Sequence, residues 1–291
     1  MGQADRKAIL ALPVIVLIGA GLAWAGSQGG ASAFGLPLFA MLVGLAFLIQ
    51  WAAFVPAYLR RTEKFYDLTG SLTFVVVATL AVALGPVVDG RSLLLMVLVV
   101  VWAARLGTFL VRRVQRVGKD GRFDEIKPSS PRFLLAWTLQ GLWVAFTAAA
   151  ALAAMTTPTR ENLDAFAAAG VAVWLVGFAI EAVADAEKRR FQADPANRGR
   201  FIQTGLWARS RHPNYFGEIV LWVGVAIIAL PVLRGWQWVA LASPLFVTLL
   251  VTRVSGVPLV EQRADERWGG RADYEAYKQR TPVLIPRLSG D

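Results

Sequence analysis

At 291 residues, 56% hydrophobic and 17% charged, the chain carries more apolar surface than a soluble domain, whose charged fraction is about a quarter. The apolar residues come in long runs, which excludes collagen-like, disordered and small disulfide-rich classes together. With no cysteine and a single histidine, His212, there is no material for disulfides, thiol nucleophiles, iron–sulfur clusters or multi-histidine metal sites, so no metal centre is expected.

A bilayer core needs about 20 apolar residues per helix, and eight runs approach that length: 8–25, 34–58, 72–88, 93–111, 133–154, 165–184, 215–233 and 236–252. The expected fold is an all-α, polytopic membrane helix bundle of about seven to eight transmembrane helices. Assigning the gaps to alternating sides puts 26 of the 30 basic residues on one side and only Arg91, Arg160 and Arg234 on the other, with Arg105 inside a run. The positive-inside rule then places both termini in the cytoplasm. Run 8–25 has a second reading. Arg6-Lys7, an apolar stretch and Ala23-Trp24-Ala25 also resemble the three regions of a cleavable signal peptide, whose removal would leave seven helices. The net charge of +10 is thus concentrated at one membrane face, where it favours anionic lipid headgroups. No basic module stands apart from the membrane segments, so nucleic acid is not an expected partner. The 24 arginines against 6 lysines, with abundant Ala and Gly, suggest high-GC bacterial codon usage and an inner-membrane location.

In chain order, residues 1–58 read as long helices with little polar chemistry, and function is expected in 59–291. Tyr66 and Asp67 stand at the start of run three, where a proton donor could meet a substrate entering from the bilayer. Ordinary interface chemistry explains them equally, Tyr in an aromatic belt and Asp at a helix N-terminus. Arg105 sits six residues from the end of its run and either snorkels to the surface or serves an ion pair. Loop 112–132 carries the turn signals Gly118-Lys119-Asp120-Gly121 and Pro128-Ser129-Ser130-Pro131, with no long element expected.

Glu181, Asp185 and Lys188 line one face of a helix running out of run six. That helix is expected to break at Asp194-Pro195, and the chain again near Gly199 and Gly205. Arg211, Asn214 or Tyr215, and Glu218 follow at three- and four-residue steps, with Pro213 suited to a first helical turn. Together these groups make either a capping and ion-pair arrangement or a polar pocket at the cytoplasmic membrane boundary, suited to a ligand with a phosphorylated end and a lipid-soluble partner. His212, beside Arg211, has the chemistry of a phosphate contact, an acid–base group or a simple turn residue. The tail, with Glu261 to Trp268 and Ala272 to Lys278, reads as helical turns ending at Thr281-Pro282.

The segment Gly205-Leu-Trp-Ala-Arg-Ser-Arg-His-Pro-Asn-Tyr-Phe-Gly-Glu218 resembles the membrane steroid 5-alpha-reductase family, including bacterial relatives of unassigned function and, more distantly, sterol reductases. Glu181-Ala-Val-Ala-Asp185, Arg200-Phe-Ile-Gln-Thr-Gly205, Tyr274-Glu-Ala-Tyr277 and Thr281-Pro-Val-Leu-Ile-Pro286 extend the resemblance over about residues 60–288. The resemblance implies a seven-helix bundle whose cytoplasmic loops hold NADPH beside a lipid-accessible pocket. It implies cofactor contacts at Asp185, Arg200, Asn214 and Glu218, with Glu181 at the position of a cofactor-binding Asn. Arg189, Arg211, His212, Tyr215 and Tyr274 belong to the same expected cofactor site. Arg105 would match an arginine facing the active site, and Tyr66 and Asp67 are the nearest candidates for the acid that completes reduction of an enone. One departure stands out: the family's Tyr three residues before Arg105 is here Trp102, which donates a hydrogen bond but no proton.

Two other functions remain open. Isoprenylcysteine and phospholipid methyltransferases also use Arg-His-Pro-x-Tyr with an acidic C-terminal segment, here Glu261 and Glu266, and bind S-adenosylmethionine. The substitution at Trp102 also suits a non-catalytic lipid-binding subunit that retains the scaffold.

Overall fold

A computed structural model of the chain describes residues 2–117 and 121–287. Ten α-helices are present among them: α1 (Gln3–Ser27), α2 (Leu38–Leu59), α3 (Tyr66–Ala83), α4 (Gly90–Val117), α5 (Ser130–Thr156), α6 (Ala165–Ala193), α7 (Pro213–Ala229), α8 (Ser243–Leu249), α9 (Val257–Trp268) and α10 (Ala272–Arg280). Eight segments of these residues are long and apolar enough to cross a membrane, one for each apolar run. The protein is an all-helical, polytopic membrane bundle. The eighth run is not a plain α-helix. It starts as a 3-10 segment at Gly235–Ala242, continues as α8 and ends in a π turn at Leu250–Val254. Helix α4 runs past its apolar stretch to Val117, and of the turn expected at 118–121, residues 118–120 lie outside the described part.

The chain divides into two compact units, Met1–Ala167 with Ile228–Ser243, and Ala168–Ile227 with Pro244–Asp291. In the first, α5 is the central helix, packed by α1, α2, α3 and α4. Its sequence explains this role. Ala148 to Ala154 is almost all alanine and completely buried, and small side chains let neighbouring helix backbones approach closely. Glycine does the same for α1, where a Cβ on Gly19 would fall 2.8 Å from the Phe47 ring. Polar groups inside this bundle find one another, as Gln50 Nε2 donates to Thr73 Oγ1 at 2.7 Å and Trp51 Nε1 to Thr138 Oγ1 at 3.0 Å. At one end Ser129 caps α5 and donates to Asp5 at 2.7 Å, while Lys127 pairs with the buried Glu63 at 2.5 Å.

The second unit is built on the crossing of α6 and α7. Built onto Gly217, a Cβ would lie 2.6 Å from the Glu181 backbone nitrogen; on Gly224 it would lie 2.6 Å from the Gly170 carbonyl. Gly177 faces the Leu221 backbone in the same way, so the two helices touch main chain to main chain. After α6 stops at Ala193, Asp194 caps a 3-10 turn at Pro195–Asn197, and Gly199 and Gly205 take positive φ of 79° and 60°. These are the breaks that Asp-Pro and glycine dictate. Pro213 opens α7, and Thr281 follows α10 with Pro282 behind it.

Candidate functional site

The second unit holds a cleft of about 450 Å³ bounded by the end of α6, the 194–207 segment, the Arg211-His212 turn, α9 and α10. Local chemistry builds each wall. Glu187, near the end of α6, accepts the backbone N–H of Leu206 at 2.9 Å and so caps the 3-10 turn at Gly205–Ala208. That turn places Trp207, whose indole N–H donates to the Ala184 carbonyl at 3.0 Å and whose ring carries the Lys188 ammonium at 4.5 Å. The Trp207 carbonyl accepts from Tyr277 Oη at 2.8 Å, which draws α10 onto the turn.

Opposite, Phe201 stands among Tyr274, Tyr277 and Trp268, with ring centroids 5.2, 5.4 and 5.8 Å away. Trp268 Nε1 and an Arg271 guanidinium N–H both donate to the Gly199 carbonyl, at 2.9 and 3.2 Å. The glycine turn is therefore held by α9 and the loop after it. Burial pushes the Tyr274 and Tyr277 phenols well above their ordinary value, so both remain O–H donors. Tyr274 donates to Asp265 at 3.1 Å, beside the Lys278 ammonium at 2.7 Å from the same oxygen.

The inner end is ionic. One Glu261 carboxylate accepts from Arg211 at 2.6 Å on one oxygen and meets His212 Nε2 at 2.7 Å on the other. His212 is buried, and its ring lies nearly parallel to Tyr215 at 5.6 Å. Desolvation holds the imidazole below its ordinary pKa, opposed by Glu261 and aided by Lys188 and Arg211. A neutral imidazole facing a carboxylate carries its proton on Nε2 and keeps Nδ1 as an acceptor. The C-terminal segment is tied behind this turn. Arg211 N–H donates to the Pro282 carbonyl at 2.9 Å, Ser210 Oγ to Leu284 at 2.8 Å, and Arg287 N–H to Arg209 at 3.0 Å.

Five cations, Lys188, Arg198, Arg200, Arg211 and Arg267, line the cleft against two acids, Asp194 and Glu261. Such a wall suits an anionic ligand carrying flat rings. Of the residues expected in the cofactor site, Arg200, Arg211, His212 and Tyr274 are on the wall. Glu181 and Asp185 are buried on α6, and Arg189 is half-buried beside them, all three off the cleft wall. Asn214, Tyr215 and Glu218 occupy the first turns of α7, also off the wall. Asn214 Oδ1 and Arg211 Nε are nevertheless buried without a hydrogen-bond partner among the described residues, an arrangement that a bound polar ligand would satisfy. Sequence reading passed over the aromatic wall of Phe201, Trp207 and Trp268 and the carboxylate that joins Arg211 to His212. The only signal for the latter was an acid in the tail at a position shared with methyltransferases.

The candidate catalytic residues lie in the first unit. Tyr66 packs between Phe123 and Trp137, at 4.8 and 4.9 Å, and donates its hydroxyl to the Ala136 carbonyl at 2.9 Å. Asp67 stands in the first turn of α3, and Arg105 is half-buried on α4. Trp102 is completely buried, edge-on to Phe74 at 5.1 Å.

A family model described as a protein of unknown function, DUF1295, matches residues 53–281. A curated relative, a probable O-methyltransferase, ustE, of Ustilaginoidea virens, is 30% identical over 107 residues, which cover 32% of this chain and 38% of the relative. The chain thus spans well under half of that relative's length. No solved structure gives a significant match.

Proposed function

Because the chain belongs to the DUF1295 family of membrane proteins and its second unit carries a basic, aromatic-walled cleft, we propose that it is a membrane reductase using NADPH to reduce a carbon–carbon double bond of a lipid-soluble, enone-like substrate. The observation that carries this reading is the excess of cations over acids on the cleft wall, five against two. NADPH brings several phosphate charges and two flat rings, and when bound it supplies hydride.

The chain's own residues divide the remaining work. Arg198, Arg200 and Arg267 would hold phosphate oxygens, and Phe201, Trp207 and Trp268 would flank the rings. Asn214 Oδ1 would accept from an amide or hydroxyl of the ligand where the ligand extends past the cleft wall to the first turn of α7, which removes its orphaned state. At the substrate, charge develops on the enone oxygen and needs a donor or a cation. Arg105 is the cation proposed for it. Asp67 is the proposed proton source, since the Tyr66 hydroxyl is already given to Ala136 and Trp102 carries no acidic proton. The bias of 26 basic residues to one side supports a cytoplasmic cleft and cytoplasmic termini, and the abundance of Arg, Ala and Gly supports a bacterial inner membrane.

A second reading, an S-adenosylmethionine-dependent methyltransferase, is favoured by the name of the Ustilaginoidea virens relative and by the carboxylate at Arg211-His212, which would suit a cationic cofactor. Calorimetric titration of the detergent-purified protein with NADPH and, separately, with S-adenosylmethionine at low salt decides between them. NADPH binding alone is expected. Binding of S-adenosylmethionine alone would replace the reductase by the methyltransferase, and NADPH binding with no turnover of any enone would point to a non-catalytic lipid-binding protein.

A further inference from the structure

The link between α1 and α2 is a hairpin, Ser32–Ala33 antiparallel to Leu36–Pro37, turned by Phe34 and Gly35. Both turn residues have positive φ, 54° and 78°, the geometry of a two-residue hairpin whose first position ordinarily belongs to Asn, Asp or Gly. A bulky aromatic side chain in the left-handed region is an outlier, and backbone strain of that kind collects at functional positions. Phe34 is also 83% exposed, at the tip, with Leu36 beside it at 57%. The backbone is strained to hold an apolar ring that nothing among the described residues covers.

The rest of that end of the first unit matches. The hairpin is tied to the end of α5, where Ala31 N–H donates to the Thr156 carbonyl at 2.8 Å. Trp24, a turn before the end of α1, meets Trp236 at 5.8 Å between centroids, and both are exposed, as are Trp238, Val87, Val88 and Leu163. Charge is cancelled within the same loops. Arg91 pairs with Asp164 at 3.1 Å, Arg160 with Asp89 at 3.3 Å, and Arg234 with Glu161 at 4.0 Å. Residues 28–37 contain no charged side chain at all. The exposed apolar groups come from four separate loops rather than from one groove, which suits a fluid surface better than a shaped partner. Trp and Tyr at the ends of apolar spans sit at headgroup level, and Phe and Leu serve as the apolar face of segments seated at the acyl boundary.

We propose that the Phe34-Gly35 tip is a wedge seated at the boundary between headgroups and acyl chains of the adjoining leaflet, flanked by Trp24, Trp236 and Trp238. The chain contains no cysteine, so Phe34→Cys in the full-length protein gives a single site for a nitroxide label. In vesicles of phosphatidylcholine and phosphatidylglycerol, the label is expected to lose line broadening by a water-soluble nickel chelate, relative to free nitroxide in water, while keeping broadening by oxygen. Full chelate access would overturn the proposal. So would dipolar broadening between labels, which would show a second copy of the chain covering the tip. Leu36→Cys, also exposed and paired with Ala33 across the hairpin, reads the same depth if the first variant does not reconstitute.

Discussion

Glu261 answers to the Arg211 guanidinium and the His212 imidazole, and its charge sets what the cleft accepts. Replacing it by glutamine keeps the shape and removes one of the two negative charges on the wall. Glu261→Gln is therefore expected to tighten NADPH binding severalfold at low salt, about 1 kcal/mol for a partly exposed charge, and to weaken S-adenosylmethionine if that is the ligand. Isothermal titration of variant and parent reads the sign directly. His212 adds a pH dependence. Its folded-state pKa lies below the ordinary 6.5 because burial disfavours the imidazolium, so the unfolded chain takes up the proton first as the pH falls. The stability that His212 contributes is present in full above 6.5 and is lost as the pH drops through the folded value. Thermal unfolding in detergent at about pH 7.5 and about pH 5.5 should show a lower midpoint in acid, and His212→Gln should flatten the difference. An unchanged slope in the variant would assign the acid sensitivity to other groups.

Helices α6 and α7 meet where neither has a side chain to spare. An added methyl at Gly217 has to displace the backbone of α6 at Glu181, and overpacking of this kind costs about 1–3 kcal/mol. Gly217→Ala is expected to lower the unfolding midpoint and to weaken cofactor binding, because α6 leads into Lys188 and Trp207 of the cleft. Gly44→Ala, on α2, is the control. A Cβ there meets nothing within 4 Å, and the helix gains propensity, so its midpoint should not fall. Element boundaries follow local chemistry closely. Asp194-Pro195, Pro213 and Thr281-Pro282 end or open helices because proline lacks an N–H and fixes φ, and all three were legible in sequence. The π turn at Leu250–Val254 was not. Run 236–252 is apolar on nearly every side, so it offers no hydrophobic period for the extra residue of a π turn to shift.

At the scale of the molecule, charge is unevenly managed. The loops at the Phe34 end cancel their own charges in three ion pairs, while the cleft wall keeps an excess of cations. Binding of a phosphorylated cofactor there should weaken steeply as salt rises, since the Debye length falls from about 30 Å at 0.01 M to about 8 Å at physiological ionic strength. Titrating NADPH at the two salt levels tests this, and an affinity indifferent to salt would remove the phosphates from the cations.

Membrane class, the number of apolar segments and the breaks around the site follow from composition, periodicity and proline, which act over neighbouring residues. The limits do not all follow, since run 34–58 opens in the 32–37 hairpin and run 72–88 is a helix at Tyr66–Ala83. Helical spacing also placed Arg211, Asn214 and Glu218 along one strip. Which of them reaches the cleft wall depended on packing. Arg211 turns toward Glu261, fifty residues later in the chain, while Glu181 is buried where α7 brings Gly217 against its backbone. The Tyr66 hydroxyl is held by Ala136, seventy residues away. Spacing assigns a residue to a face of its own helix, but what covers that face is decided by segments distant in sequence, and only the folded chain brings those together.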